Sequence, residues 1–448
     1  MKYEEFKKKV ISAAERNSLT DYELYYDFSE SVNVDTFRNE INEFSSSAEG
    51  GVCFRTLLNG QMGYASTEDL SAEEAEAIVL RAIENAGVLE SAEPSFLGEA
   101  GGEYAEIKQE IQKLPAADEL VRYALAGQKI AYAADSLVID GTSTSLMNIS
   151  EKTAIFNSRG LDLSFENAAT GIISSAVVSD GKEMNNSFEI KFAPLSDALL
   201  KETVEKSVSA AVKKLGAGVA PTGAYPVVFA PDAVSMLLAT FSSVFSAENA
   251  QKGLSLLAGK EGQMIAAENV TLVDDPFYEE NPFRRPFDAE GMPTFRKEII
   301  AGGELKTLLY NLKTSAAAGV KTTGNASKQG YAGSVGISSF TLVLQPGDLS
   351  EKDLLQKAGN GVYIDSLQGT HAGANPISGD FSLQSAGFMI EDGKLAGAVK
   401  GFTVAGNFFD LLKHVEALSN KLEFSSMGSQ SAFAVPAVLV SGLTVAGK

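Results

Sequence analysis

The sequence is poor in the side chains that most often bind metals. Its 448 residues include two histidines, His371 and His414, one cysteine, Cys53, and no tryptophan. A single cysteine cannot form an intramolecular disulfide, so no secretory disulfide framework is indicated. A catalytic zinc ion normally has three protein ligands drawn from His, Asp, Glu and Cys, and no H-E-x-x-H pair is present. These shortages argue against a zinc hydrolase that acts on its own.

Basic residues are scarce relative to acidic ones. The chain has 37 Lys and Arg against 58 Asp and Glu, which gives a formal net charge of −21. An acidic field opposes the approach of nucleic-acid phosphates and of anionic membrane surfaces, and the longest basic run is Lys7 to Lys9. No apolar run approaches the roughly 18 residues that a membrane span needs. We therefore expect no nucleic-acid partner and no membrane partner, and the acidic N-terminus favours a cytoplasmic location over export.

Turn residues divide the chain into many short elements. The 41 glycines and 13 prolines are not periodic, and Asn59-Gly60, Gly302-Gly303 and Asp392-Gly393 predict local β-hairpins. Hairpins without regular strand–helix alternation predict an α+β fold rather than a doubly wound sheet. The small, uncharged stretch Gly216–Gly223 is typical of a linker. We expect an N-terminal α+β domain with antiparallel meanders and helices at 1–220, followed by a β-rich C-terminal domain at 221–448.

Local patterns in the first half predict both helices and strands. Apolar residues at helical spacing, Phe6, Val10, Ala13 and Ala14, predict an N-terminal helix. The segment 71–74, Ser-Ala-Glu-Glu, fits a capping box and predicts the start of a second helix. Alternating patterns predict strands at 23–28, 32–37 and 51–58.

The densest group of turn and polar residues is the segment 369–382. A Ser/His/Asp triad could combine Ser378 or Ser382 with His371 and Asp380. Such triads are defined by geometry, and the segment lacks the strand–nucleophile–helix elbow that usually presents the serine. A turn histidine bonded to the backbone is therefore the favoured interpretation. A third interpretation is a loop that lines a groove where a peptide backbone approaches closely.

Other nucleophile and nucleotide patterns are weak. Cys53 lies in an alternating strand pattern, which is typical of a small buried hydrophobic residue. His414 follows an amphipathic segment, where a helix C-terminus would favour its positive charge. No G-x-x-x-x-G-K-[ST] loop occurs, because Asn325 follows Gly324 where the phosphate-binding lysine would stand.

A series of short motifs runs through the whole chain in one order. They are Gly51–Arg55, Gly63–Thr67, Asp288–Arg296, Gly303–Tyr310, Thr323–Asn325, Gly379–Ser382, Gly387–Gly393, Thr403–Asn407 and Pro436–Gly447. Each motif is weak alone, but the ordered set resembles the TldD/PmbA family.

The resemblance implies a branch within that family. TldD-type members carry a helical H-E-x-x-x-H motif and a later cysteine, which together bind zinc for peptide hydrolysis. In the corresponding helix here, Ala239 and Val244 stand in place of the two histidines, and Thr240 stands in place of the general-base glutamate. The region 422–435 has no cysteine. This pattern is that of the PmbA branch, also called TldE, so the resemblance implies no cofactor and no metal site in this chain, with zinc only in a TldD-type partner.

The resemblance also implies a role in peptide binding. We expect a non-catalytic subunit of a TldD/TldE-type metallopeptidase that degrades or processes unfolded peptides. It would form a homodimer when alone and a mixed complex with a TldD-type zinc peptidase subunit. Turn-rich loops would then line a peptide groove, with five candidate residues: Thr323, Asn325, His371, Asn375 and Asp380.

Two other classes of function stay open at this point. Family members have been called modulators of DNA gyrase, so a peptide- or protein-binding regulator without a peptidase partner is one alternative. The other is an autonomous hydrolase with an unrecognised site. The sequence therefore leaves open whether the chain alone is an enzyme.

Overall fold

The first half of the chain forms one antiparallel sheet. A computed structural model describes residues 1–88, 94–107, 111–426 and 432–447. The strands of this sheet are β1 (Tyr22–Phe37), β2 (Glu40–Leu58), β3 (Gln61–Thr67), β4 (Ser143–Asn157), β5 (Asp162–Ser179) and β6 (Met184–Phe192). Their order in the sheet is β3-β2-β1-β4-β5-β6.

β1 is one continuous strand, where the sequence predicted two strands separated by a polar stretch. It pairs with β2 from Tyr22 to Phe37 and with β4 from Glu23 to Val34. Because both neighbours offer backbone partners across the polar stretch, the ladder continues where local composition predicted a break. The chain turns instead at Arg38 and Asn39, whose φ angles of 52° and 61° are those of a type I′ hairpin turn.

The Asn59-Gly60 hairpin is confirmed. It joins β2 to β3, and the φ angles of Asn59 and Gly60 are 52° and 81°. Both residues thus adopt the left-handed conformation that a two-residue hairpin turn requires and that Asn and Gly tolerate.

Helices cover one face of this first sheet. They are α1 (Tyr3–Arg16), α2 (Ala72–Val88), α3 (Ala117–Ala134) and α4 (Asp197–Lys213). The residues predicted to face the core from α1 are all buried: Phe6, Val10, Ala13 and Ala14. Leu24 and Tyr26 of β1 pack in the cluster that contains α1 and α2 residues, and Val34 packs in the cluster that contains α3 and α4 residues. Since strand residues alternate between faces, these even-numbered positions share the helical side.

The predicted capping box at α2 forms only in part. Ser71 Oγ accepts a hydrogen bond from the backbone N–H of Glu74 at 3.2 Å. The backbone N–H of Ser71 donates to Asp69 Oδ1 at 2.9 Å, while the Glu74 carboxylate is bonded to Arg81. The cap therefore satisfies one helical donor without the reciprocal bond from glutamate.

The second half of the chain is richer in short strands. Its strands are β7 (Gly223–Phe229), β8 (Leu272–Asp274), β9 (Lys297–Ala301), β10 (Glu304–Leu305), β11 (Ala326–Ser327), β12 (Gly336–Ile337), β13 (Thr341–Leu344), β14 (Gly361–Gln368), β15 (Asp380–Glu391), β16 (Lys394–Asn407), β17 (Val415–Leu418), β18 (Glu423–Ser426), β19 (Ala432–Val435) and β20 (Val438–Ala446). Its helices are α5 (Pro231–Phe241), α6 (Ala247–Gln251), α7 (Leu312–Ala318), α8 (Glu351–Ala358), α9 (Thr370–Gly373) and α10 (Phe408–Lys413), with a 3₁₀ turn at Ser242–Phe245.

These strands form two larger sheets and one small ladder. One sheet has the order β10-β9-β8-β13-β19-β18, the other has the order β16-β15-β14-β7-β20-β17, and β11 pairs with β12. An additional β16–β20 pairing closes five strands of the second sheet into a ring. Most pairs are antiparallel, but β14–β7 and β13–β19 are parallel. The predicted hairpins at Gly302-Gly303 and Asp392-Gly393 are confirmed as the β9–β10 and β15–β16 turns.

The core of the second half surrounds α5. Phe229 from β7, Phe241 from α5 and Ile300 from β9 belong to one buried cluster, together with Phe408 from α10. The rings of Phe241 and Phe408 stack at 4.6 Å between centroids and 9° between planes. The helix thus lies in apolar packing between the two larger sheets.

The two halves meet on the odd-numbered face of the first sheet. Tyr25 of β1, Cys53 of β2 and Ile155 of β4 share one buried cluster with Phe287 and Ala326 from the second half. The part of the first sheet around Tyr25, Cys53 and Ile155 is therefore covered on both faces, by helices on one side and by the second half on the other.

The α+β class predicted from the sequence is confirmed. The division into domains at 220/221 stays a prediction. Within the described ranges, no helix combines the length and the apolar character that crossing a membrane requires.

The Phe241–Phe408 stack provides a test of the core. Phe241→Ala removes a fully buried ring, and we expect it to lower the free energy of unfolding by about 3–5 kcal/mol. Phe188→Ala, at a side chain that is 64% exposed, is the matched control and should change stability little. Denaturant unfolding of both variants checks this, and equal losses would contradict the assignment of α5 to the core.

Candidate functional site

The helix that resembles the zinc-motif helix follows directly from β7. The strand ends at Phe229, and Pro231 occupies the first turn of α5, where its missing N–H costs no hydrogen bond. Ala239 and Thr240 lie in the last turn of α5, and Val244 lies in the 3₁₀ turn that follows. The chain therefore positions a helix where the resemblance requires one.

The side chains at these three positions do not fit a zinc site. Ala239 and Val244 have no donor atom, and Val244 is 1% exposed within the apolar core. The Thr240 hydroxyl donates to the carbonyl of Met236 at 2.7 Å, a bond within its own helix. Zinc ligation in proteins uses Cys, His, Asp or Glu, so the motif positions supply no ligand and no general base.

Among the described residues, the surroundings of α5 do not replace these ligands. The helix is joined to β18 by a hydrogen bond from Ser425 Oγ to Ser235 Oγ at 2.9 Å. Residues 427–431, within the region 422–435 that lacks a cysteine, lie outside the described residues. Across the part of the chain that the structure describes, no three His, Cys, Asp or Glu side chains are grouped to hold a metal ion.

Two of the predicted groove residues, Thr323 and Asn325, lie in the interior. Asn325 is 0% exposed and Thr323 is 7% exposed. Asn325 Nδ2 donates to Asp274 Oδ2 at 2.7 Å, and Asn325 Oδ1 accepts from Lys297 Nζ at 3.0 Å and from Thr323 Oγ1 at 2.8 Å. A salt bridge of 3.1 Å between Lys297 and Asp274 completes the network. This placement differs from the expectation, because the pair supports the sheet instead of facing solvent.

The other three predicted residues lie at the surface around α9 and the start of β15. His371, Asn375 and Asp380 are all exposed. Asn375 and Asp380 belong to one turn, since the backbone N–H of Asn375 donates to the carbonyl of Asp380 at 2.8 Å. The side chain of Asp380 accepts from Asn407 Nδ2 at 2.9 Å, which holds the pKa of this carboxyl below its usual range.

The Ser/His/Asp triad considered for this loop is not assembled. Asp380 is bonded to Asn407 and its backbone N–H donates to Ser378 Oγ, and within the described ranges no hydrogen bond joins Asp380 to His371. His414 occupies the C-terminal end of α10, with Nδ1 at 2.7 Å from the carbonyl of Asp410. This position agrees with the predicted helix-end histidine.

The single cysteine is a buried strand residue, as predicted. Cys53 is 4% exposed and packs against Tyr25 at the junction of the two halves. Burial raises the pKa of its thiol, which opposes the thiolate form that a nucleophile needs.

A buried charged cluster at the same junction was not predicted from the sequence. Arg55 Nε donates to Glu23 Oε1 at 2.7 Å, and both side chains are at least nine-tenths buried. Asp288 and Glu290 approach from the second half and are 3% and 4% exposed. Asp288 Oδ2 accepts from the backbone N–H of Ala326 at 2.9 Å, and Glu290 Oε2 accepts from the backbone N–H of Leu312 at 2.8 Å. The motif 288–296 was noticed only as a family resemblance, and these contacts give its acidic residues a structural role.

Burial sets the ionisation of this cluster. Removal from water raises the pKa of the Glu290 carboxyl, and the neighbouring Asp288 carboxylate raises it further. Burial likewise raises the pKa of Asp288, although backbone N–H donors oppose the shift. Carboxyl groups with raised pKa values take up protons more readily in the folded than in the unfolded chain.

Comparison with known proteins identifies the class and the family. Residues 222–447 match the model of the PmbA/TldA metallopeptidase C-terminal domain, and residues 22–86 match the model of the PmbA/TldA metallopeptidase domain 1. These matches define a protein of a metallopeptidase family. The chain belongs to the TldD/PmbA family.

Relatives and solved structures agree with this family over most of the chain. A metalloprotease of Methanothermobacter thermautotrophicus is 28% identical over 394 residues, which span 85% of this chain and 84% of the relative. Metalloprotease PmbA of Escherichia coli O157:H7 is 23% identical over 418 residues, which span 92% and 90%. The crystal structure of a candidate modulator of a DNA gyrase from Thermotoga maritima is 28% identical, with a TM-score of 0.88 and coverage of 99% and 100%. TldE from Thermococcus kodakarensis has the same fold, with 24% identity, a TM-score of 0.89 and coverage of 99% and 100%.

The Glu290 carboxyl predicts how stability depends on pH. A raised folded-state pKa means that its contribution to stability is present below the unfolded-state pKa of about 4.3 and is lost as pH rises through the folded-state pKa. Glu290→Gln keeps an acceptor for Leu312 and removes this titration. We expect the variant to lose less stability than the parent chain when pH rises from about 5 to about 9.

The control is Glu280→Gln, at an exposed position of the same segment, which should follow the parent chain. Thermal unfolding across the pH range measures both variants. Parallel curves for Glu290→Gln and the parent would contradict the raised pKa.

Proposed function

We propose that the chain is a TldE/PmbA-like subunit of a TldD/TldE-type metallopeptidase that degrades or processes unfolded peptides in the cytoplasm. The observation that carries the proposal is the set of side chains at the zinc-motif positions: Ala239, Thr240 and Val244. The chain itself would be non-catalytic, and it would contribute an interface and part of the peptide groove.

The chemistry of amide hydrolysis supports this division of labour. A bound zinc ion lowers the pKa of its water to about 7 and polarises the scissile carbonyl. In this chain the hydroxyl of Thr240 is bonded to its own helix, and Ala239 and Val244 can neither bind a metal nor move a proton. A zinc-bearing partner would supply those groups, and no cofactor would be needed here.

The proposed partners follow from the family and from the charge. The relatives named PmbA and TldE support pairing with a TldD-type zinc subunit, and a homodimer is proposed for the chain alone. The net charge of −21 disfavours nucleic acid as a direct partner. His371, Asn375 and Asp380 are the exposed groove candidates, and Thr323 and Asn325 are candidates that lie in the interior and support the loop at 322–325.

A regulator of DNA gyrase without a peptidase partner is the second candidate. The name of the Thermotoga maritima structure favours it. Affinity capture with the full chain separates the two, because the first function requires recovery of a TldD-type chain and the second requires recovery of gyrase subunits without it.

Reconstitution with a TldD-type chain from the same source tests the main proposal. We expect no cleavage of an unfolded peptide by this chain with added zinc, and faster cleavage by the mixture than by the TldD-type chain alone. Zinc-dependent cleavage by this chain alone would refute the non-catalytic role, and a mixture no faster than the partner would refute the subunit role.

His371 tests the groove assignment. His371→Ala should lower kcat/KM of the mixed complex by about two- to tenfold, the range expected for one lost hydrogen bond. His414→Ala, at the other exposed histidine, is the matched control. Equal kinetics for the two variants would remove the loop at 369–380 from the groove.

A further inference from the structure

One edge of the first sheet is open along part of β2. β2 pairs with β1 over nearly its whole length, from Glu40 to Thr56. It pairs with β3 only from Val52 to Leu58. The segment 43–49 therefore has a neighbouring strand on one side and, within the described chain, none on the other.

Two hydrogen bonds fix which backbone groups of this segment point outward. The backbone N–H of Leu57 donates to the carbonyl of Asp21 at 2.9 Å, so odd-numbered residues of β2 bond towards β1. The backbone N–H of Ser158 donates to the carbonyl of Tyr22 at 2.9 Å, so even-numbered residues of β1 bond towards β4. Because backbone groups alternate along a strand, the N–H and C=O groups of Phe44, Ser46 and Ala48 face the open side.

These outward groups are accessible. Phe44, Ser46 and Ala48 are exposed, and the Phe44 ring is 51% exposed. No hydrogen bond of the described residues engages their backbone. An unpaired row of this kind is a template for another strand, and it is blocked here by neither proline nor lysine.

The same segment carries unpaired negative charge. Glu43 lies directly opposite Asp35 in the β1–β2 register, and like charges in that position repel. Glu49 lies on the same face as Glu43, since both positions are odd-numbered. Both glutamates are exposed, and in the described structure neither has a salt-bridge partner. Lysine or arginine side chains on an added strand would compensate these charges.

We propose that the open edge of β2, residues 43–49, binds an extended peptide segment rich in Lys or Arg as an added β-strand. Main-chain hydrogen bonds to Phe44, Ser46 and Ala48 would supply affinity without regard to sequence, and Glu43 and Glu49 would select basic segments. This inference rests on the proposed function only for the class of ligand, because binding here needs neither a partner chain nor zinc.

A second copy of the chain is a poorer occupant of the same edge. Antiparallel pairing of two such edges can place Glu43 of one copy opposite Glu49 of the other. That arrangement opposes carboxylates on a chain whose net charge is already −21, and like charges directly across a strand pair are destabilising.

Fluorescence anisotropy of labelled peptides with the full chain tests the proposal. The probes are a capped peptide of about seven residues that alternates Lys and Val, a length that spans the open segment, and its Glu and Val counterpart. We expect the basic peptide to bind about tenfold more tightly, the sum expected for two exposed ion pairs. Equal binding of the two peptides, or none, would overturn the proposal.

Two pairs of variants separate the backbone term from the charge term. Ser46→Pro removes an outward N–H that no internal ladder uses, and Ser46→Thr keeps it. We expect Ser46→Pro to weaken binding of the basic peptide by about tenfold or more. Ser46→Thr should leave that affinity unchanged. The double variant Glu43→Gln and Glu49→Gln should abolish the preference for the basic peptide, whereas Glu73→Gln with Glu84→Gln on exposed α2 positions should keep it.

Hydrogen exchange locates the bound strand independently of any variant. The basic peptide should slow exchange at the amides of Phe44, Ser46 and Ala48, while Ser45 and Ser47 are already protected by β1. Protection confined to another part of the chain would overturn the proposal. So would a wild-type dimer that Ser46→Pro converts to monomer, because it would assign the edge to self-association.

Discussion

Burial of the middle of the first sheet on both faces is the constraint on which the rest of the structure depends. Leu24 and Tyr26 of β1 face the helices, while Tyr25, between them, faces the second half of the chain. Charged groups in such a layer must be paired, since an isolated buried charge is costly. Glu23 and Arg55 avoid this cost by forming an ion pair. Glu290 avoids it in another way, because its raised pKa favours the neutral carboxyl.

The side chains at positions 239, 240 and 244 fit the apolar and intrahelical packing of α5. Val244 and Phe241 belong to the apolar core between the two larger sheets, so the end of the helix gains from hydrophobic burial. A pair of histidines at the motif positions would have to be held by metal and by hydrogen-bonded neighbours. The end of the helix is thus held in the fold by apolar packing.

Local signals were enough to predict much of the fold. Asn59-Gly60 marked its hairpin because both residues tolerate positive φ, and Phe6 and Val10 marked the buried face of α1 because helical periodicity is local. The β1 strand was divided wrongly because pairing with β4, more than 100 positions away in the register, overrides the composition of its polar stretch. The candidate site was less predictable. Asn325 lies in a turn-rich segment typical of a surface loop, but its side chain is hydrogen-bonded to Asp274 and Lys297 from strands distant in sequence.

The closed ring of strands in the second half has a consequence for the order of folding. β20 lies between β7 and β17 and also pairs with β16, so Gly223 meets Val445 across more than 200 intervening residues. Closing so long a loop costs entropy before any contact compensates for it. The first sheet can form early, because its successive strands are mostly joined by hairpins. The ring can close only after β20 has emerged from the ribosome. Until then β7 and β16 present unpaired edges, and a nascent chain at this stage would depend on protection from aggregation.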